Sequence, residues 1–290
     1  MPVSILLLAA LGASPAPDVG LLVSLRSDTG EYRTVLVGRK GVATVADSLD
    51  GVLVGASKDG FTSYTVDKDG ILVDGRPTPL KADVSFRIAW MSKDAVGIEL
   101  DRSRPGEPRY SSVERRVYEP SFEKAVKLSS HIEDTERDQF RDAVAKQRRA
   151  AGPEFEGAQP SDVDWGFVRA DGHWETMGAL VAGDERSQID LGAILTKTYG
   201  MRVDSEVTLA MATTPHNDAT DVVASRQARV AVVITPDALY VHDSNGRTVG
   251  RMLRRMTARN ETVVGVAQGS LDALREYFAA HRTLDSPLCE

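Results

Sequence analysis

The chain holds one cysteine, Cys289, so no intramolecular disulfide can form and no cysteine-rich metal site exists. Histidine is scarce too: His131, His173, His216, His242 and His281 fall in no HExxH or other ligand spacing. No G-x-S-x-G, G-x-G-x-x-G or phosphate-binding loop occurs, which leaves nucleotide cofactors unsupported. Ser121 to Lys124 do read S-x-x-K, but the K-T-G that should accompany it fails, because "KTYG" puts Tyr199 where glycine must admit the backbone. Basic residues are outnumbered 35 to 42, so non-specific nucleic-acid binding is disfavoured. Neither a metal nor a cofactor is expected, and no nucleic-acid partner.

Long hydrophobic runs are also missing; no segment approaches the roughly 20 apolar residues of a membrane span. The longest, Ile5 to Leu11, is followed by the small residues of "LGASPAP", the pattern of a secretory signal with cleavage after Ala13. Residues 1–18 therefore read as a signal peptide and short lead-in, although no Lys or Arg precedes the apolar stretch. Export to the periplasm or beyond is the expectation.

What the sequence does have is turns. "SLDGVLVGASKDGFTSYTVDKDGILVDG" repeats Asp-Gly four times, and Asp50-Gly51, Asp59-Gly60 and Asp69-Gly70 recur every nine or ten residues. That is the spacing of short antiparallel strands, and Asp-Gly suits a type I′ turn, which needs φ > 0 at both central positions. A calcium loop does not fit: after Asp67 and Asp69, Gly70 arrives two positions early and no Glu closes the loop. Alternating or β-branched segments continue on both sides, so 19–118 is expected to be an all-β unit without a helix.

Residues 119–153 change period. Pro120 sits at a helix-start position, Phe140, Ala143, Val144 and Gln147 share one face, and Gly152-Pro153 is a stop. One or two amphipathic helices are expected, packing on the β units or joining them. After a loop at "EFEGAQPSD", the β pattern resumes from about 162, with hairpins on Asp171-Gly172 and Asn245-Gly246. A final helix follows, with Ser270 as its N-cap and Leu271, Leu274, Tyr277 and Phe278 on its buried face. The expected fold is mainly β (α+β): antiparallel meanders in two β units, 19–118 and 160–290, with a helical segment between them. A propeller-like arrangement is an alternative, though no strict repeat period supports it.

The run "DWGFVRADGHWETMGAL" resembles a "DWaivR.nGrW.l.G.l" pattern found in exported bacterial β-rich proteins, and "DATDVVASRQARVAVVITPDALYVHD" looks like the segment that follows it there. The resemblance covers about 162–268 and rests on Asp164, Trp165, Arg169, Gly172, Trp174, Thr235, Pro236 and Asp237. It implies a shared fold and export, and no catalytic residues.

Three places invite a ligand. With a two-residue loop at Asp171-Gly172, Arg169 lies opposite Trp174, Phe167 opposite Thr176 and Trp165 opposite Gly178. Trp165, Arg169 and Trp174 then form a face that could stack a sugar, with Arg169 over Trp174, or simply be core, which the burial of two indoles favours. "TTPHNDATD" groups His216, Asp218 and Asp221, a set suited to a divalent cation or a general base, or to Asx turns alone. "GRTVGRMLRRMTAR" concentrates Arg247, Arg251, Arg254, Arg255 and Arg259, either a polyanion site or a strand edge that charge protects from pairing.

These features suggest an exported, non-enzymatic bacterial envelope protein that binds or scaffolds an envelope protein or polymer. A hydrolase of envelope polymers with a carboxylate pair, and a polyanion-binding module on the arginine cluster, are the alternatives.

Overall fold

The computed structural model describes residues 18–67, 70–80, 86–101, 113–199 and 205–282; residues 1–17, where a signal peptide is expected, together with Asp69 and Cys289, lie outside the described residues. The architecture is mainly β, in four sheets. β1 (Val19–Ser27), β2 (Tyr32–Lys40) and β3 (Ala43–Asp50) form a meander. The chain then leaves for a second sheet of β4 (Val52–Ser57), β5 (Gly60–Asp67), β6 (Gly70–Val73) and β7 (Arg76–Pro77). It returns to the first sheet through β8 (Phe86–Met91), β9 (Val96–Asp101) and β10 (Val113–Tyr118).

Helix α1 (Arg137–Ala151) leads to a three-stranded sheet of β11 (Gln159–Ala170), β12 (His173–Ala182) and β13 (Glu185–Gly192). A single turn, α2 (Leu209–Ala212), precedes a four-stranded meander of β14 (Asp221–Ser225), β15 (Val230–Ile234), β16 (Ala238–Ser244) and β17 (Val249–Thr257). β18 (Glu261–Ser270) runs straight into α3 (Leu271–Arg282).

β18 decides the architecture. It pairs antiparallel with β1 along the whole of that strand and meets β8 in a parallel bridge at Gly265–Met91, so it sits inside the seven-stranded sheet. The two expected β units are therefore not separate sheets. One apolar core joins Leu21 and Val35 of the first sheet to Trp90, Trp165, Leu180, Val232 and Leu239. A sheet assembled from three distant stretches of chain is not a propeller blade.

β1 shows why its sequence is apolar without alternation. Leu21, Val23 and Leu25 face the shared core, while Leu22 on the opposite face packs with Leu271, Leu274 and Phe278 of α3. A strand covered on both faces has no wet side on which to place polar residues.

Several turns differ from the Asp-Gly expectation. Asp74-Gly75 (φ 49° and 73°) and Asp171-Gly172 (φ 48° and 83°) are the two with both residues left-handed, as type I′ requires. Asp50-Gly51 is no hairpin: Gly51, at φ 78°, turns the chain from β3 to β4 in another sheet, and its N–H bonds Tyr32 O. The next loop is Lys58-Asp59, because Ser57 pairs with Gly60, and Asp67 pairs with Gly70 likewise. The Asn245-Gly246 hairpin has a four-residue loop, since Ser244 pairs with Val249. There Asn245 Oδ1 accepts the Arg247 and Thr248 N–H groups.

The helical segment is shorter than 119–153. Residues after Pro120 fold back along β10 through a Tyr118–Ala125 bridge, which seats Phe122 in the core, and the α-helix starts only at Arg137. Burial of Phe122 and Val126 on this return outweighs the helix-start signal of the proline. Within α1 the expected face is in place: Val144 is buried, Phe140 and Ala143 pack on the core, and Gln147 Nε2 donates to Asp190 O. β11 begins at Gln159, earlier than 162, because Gln159 and Pro160 pair with Val181 and Leu180 ahead of a bulge. Ser270 closes β18 opposite Val19, and α3 buries Leu271, Leu274 and Phe278.

Candidate functional site

The type I′ turn at Asp171-Gly172 fixes the β11–β12 register, pairing Arg169 with Trp174, Phe167 with Thr176 and Trp165 with Gly178. The Arg169 guanidinium lies over the Trp174 ring, 5.3 Å from its centroid. Its Nε donates to Asp221 Oδ2 at 2.6 Å and its Nη2 to Val222 O at 2.7 Å. The Asp221 Oδ1 accepts the Val222 N–H, so the backbone at the start of β14 also holds the carboxylate. Both ion-pair side chains are buried, at 5% and 7% exposure.

This pair backs a cleft of about 380 Å³. Trp174, Val207 and Val222 give it apolar wall, and Thr196, Ser205 and Thr208 add hydroxyl-bearing side chains. Arg169 lines it too, and its Nη1 makes no hydrogen bond to any described residue. Three of its five N–H groups, two of them on Nη1, thus have no partner among the described residues, on a cleft-lining side chain whose direction is fixed by Asp221, Val222 and Trp174. At the rim, His173 Nε2 lies 2.9 Å from Glu175 Oε1, and Glu206 pairs with Arg247 at 3.4 Å.

Trp165 is not part of the cleft. Its ring is fully buried, its Nε1 donates to Val126 O, and Phe167 and Tyr199 pack against it. Of the aromatic face of this hairpin, Trp174 reaches the cleft and Trp165 is core.

The "TTPHNDATD" residues diverge. Asp221 turns to Arg169, Asp218 is exposed, and His216 stacks on Tyr240 with ring centroids 3.8 Å apart. His216 Nε2 meets His242 Nε2 at 2.9 Å, and His242 Nδ1 lies 2.9 Å from Gly250 O. Because that carbonyl can only accept, neutral His242 carries its proton on Nδ1 and offers an Nε2 lone pair to His216. Burial, and then the neighbouring His242, hold the His216 pKa below the ordinary imidazole value, against the opposing field of Asp218.

The arginine cluster lies on and beside the edge strand β17. Arg247, Arg255 and Arg259 have carboxylate partners in Glu206, Asp237 and Glu31, and Arg255 also lies 5.8 Å over Tyr240. Arg251 and Arg254 are exposed, with no side-chain partner among the described residues. The cluster therefore presents two unpaired cations rather than five.

Two arrangements escaped the sequence reading. One is the imidazole pair: alternation correctly separates His242 from Asp243, which bonds Arg39 at 2.6 Å, but gives no hint that His216 arrives from a distant loop. The other is Glu99, held by Arg87 at 2.8 Å, Arg115 at 3.3 Å and Arg26 at 3.7 Å. Its signal was the charge inside otherwise apolar strands such as "VGIELD".

No family model, curated protein or solved structure matches this chain. Among the described residues, no helix is long and apolar enough to cross a membrane.

Proposed function

We propose that this is an exported envelope protein that acts by binding, and that the cleft beside Arg169 and Trp174 takes a neutral, hydroxyl-rich ligand of the carbohydrate class. The observation that carries the reading is the state of Arg169. Asp221 balances its charge, so it offers directed hydrogen bonds without the long-range pull of an unpaired cation. The side chains of Thr196, Ser205 and Thr208 together with the Trp174 wall suit a molecule with polar edges and apolar faces. Export rests on the apolar stretch Ile5 to Leu11 and the small residues after it, together with the resemblance of 162–268 to exported β-rich proteins.

A thermal-shift screen of the chain tests this against neutral oligosaccharides, peptidoglycan fragments, polyanions and divalent metals. A ligand at a hundred times its Kd adds about 2.7 kcal/mol of stability. Neutral glycans are expected to raise the midpoint. A shift with polyanions alone would move the site to Arg251 and Arg254 and overturn the reading.

A further inference from the structure

A second constellation lies on the outer face of the β14–β17 sheet, apart from the cleft. Tyr240 and His242 stand two apart on β16 and so share that face, and His216 comes down on both of them from the loop after α2. His242 is buried and its ring is fixed by the Nδ1–H bond to Gly250 O. The His216 ring is fixed by stacking on Tyr240, 23° from parallel. The two Nε2 atoms face each other 2.9 Å apart.

That separation suits one shared hydrogen bond, and it is also close to the bite of one metal ion. Two imidazole nitrogens at 2.0–2.1 Å from a tetrahedral zinc stand roughly 3.3 Å apart, so an ion is seated when the pair opens by a few tenths of an ångström and the rings turn until both Nε2 lone pairs converge on it. The His242 to Gly250 bond is the outer support that ligating imidazoles ordinarily have, a backbone carbonyl taking the proton of the far ring nitrogen. The surrounding charge is favourable. Asp218 is the carboxylate whose field acts on His216, and Arg255, which lies over Tyr240, is paired with Asp237.

We propose that His216 and His242 form a two-imidazole site for a borderline divalent transition metal, zinc(II) or copper(II). In the neutral pair, His216 carries its proton on Nε2 and donates it to His242. On metal binding that proton moves to Nδ1 of His216, and both Nε2 lone pairs turn to the ion, with no net proton released. Among the described residues, no third His, Cys, Asp or Glu completes a ligand set, so solvent fills the remaining positions. Nitrogen ligands discriminate against calcium and magnesium, which prefer oxygen. The bound ion ties the loop after α2 to β16 and so raises stability.

The test uses the full chain, stripped with chelator and with the Cys289 thiol alkylated, titrated with zinc(II) and copper(II) by calorimetry, calcium(II) and magnesium(II) serving as controls. The expected result is one transition-metal ion per chain, bound about ten-fold or more weakly by His216→Gln, where every ten-fold is about 1.4 kcal/mol. Because His216 is half-buried and His242 fully so, His216→Gln is the variant of choice, and imidazole ¹⁵N NMR of the wild type gives a second readout. Zinc should shift the Nε2 resonances of both His216 and His242. Equal affinity in wild type and His216→Gln, or unshifted Nε2 resonances at saturating zinc, overturns the site and leaves a shared proton only.

Discussion

Arg169 and Asp221 lie 52 residues apart in the chain and bond at 2.6 Å as a nearly buried pair, with Arg169 at the wall of the cleft. The pair joins the β11–β12 hairpin to the start of β14 and sets the back wall of the cleft. Removing one member of such a pair leaves a buried charge without a counter-ion, which costs about 3–5 kcal/mol. Asp221→Asn is therefore expected to destabilise the protein by about that amount in urea unfolding. The double variant Arg169→Met/Asp221→Leu, with no orphan charge, should lose less than Asp221→Asn alone.

Trp90 makes a second prediction. Its ring packs edge-on to Phe167 at 4.7 Å and crosses β9 at Gly97, where an added Cβ would stand 1.8 Å from the indole nitrogen. Gly97→Ala must displace a fully buried indole, and overpacking of this kind costs about 1–3 kcal/mol or more. At Gly265 the atoms nearest an added Cβ all belong to the unbranched Met91 side chain, with Cε and Cγ at 2.7 Å. Gly265→Ala should be the milder of the two by denaturant midpoint.

Glu99 pairs with three guanidiniums, those of Arg26, Arg87 and Arg115. Burial and the Arg87 cation already lower the Arg26 pKa, which shows how crowded the charge is. Glu99→Gln is expected to cost about 3 kcal/mol, as for other broken buried pairs. Part of the loss should return in high salt, which screens the arginines from one another. A loss that does not vary with salt would contradict this account of Glu99.

The pH dependence has two arms. His216 and His131 have pKa values held down, chiefly by burial, so the folded state binds fewer protons than the unfolded chain as pH falls through the ordinary imidazole value near 6.5. Stability should fall from about pH 7 downward and level off once the folded-state values are passed, with a smaller fall in His216→Gln. On the alkaline side, burial pushes Tyr277 up to about 12 and raises Tyr64 and Tyr199 as well. The unfolded chain then releases protons first, so stability should drop as pH rises above about 10. Urea midpoints between these limits check both arms.

Much of the local structure could be read in advance, where a short-range rule fixes the outcome. Asp171-Gly172 sets its own turn, and the turn sets every pairing from Trp165 to Trp174. The 140, 143, 144, 147 face and the α3 face follow from a 3.6-residue period. The same rules misplaced Asp50-Gly51 and Pro120, where the chain changes sheet or folds back and burial of distant side chains decides. The insertion of β18 between β1 and β8, the choice of Asp221 as the partner of Arg169, and the meeting of His216 with His242 are long-range events. Nothing within ten residues of those positions encodes them.

The most direct test of the cleft is calorimetric titration of the wild type and Thr208→Tyr with the neutral oligosaccharide that shifts the midpoint most. Thr208 is an exposed residue lining the cleft, so a tyrosine there fills the space and leaves the Arg169–Asp221 pair untouched. The account predicts binding to the wild type that barely changes with salt and weakens about ten-fold or more in the variant, a difference of about 1.4 kcal/mol. Equal binding in both proteins, or affinity that collapses as salt rises, would place the ligand elsewhere and contradict the assignment.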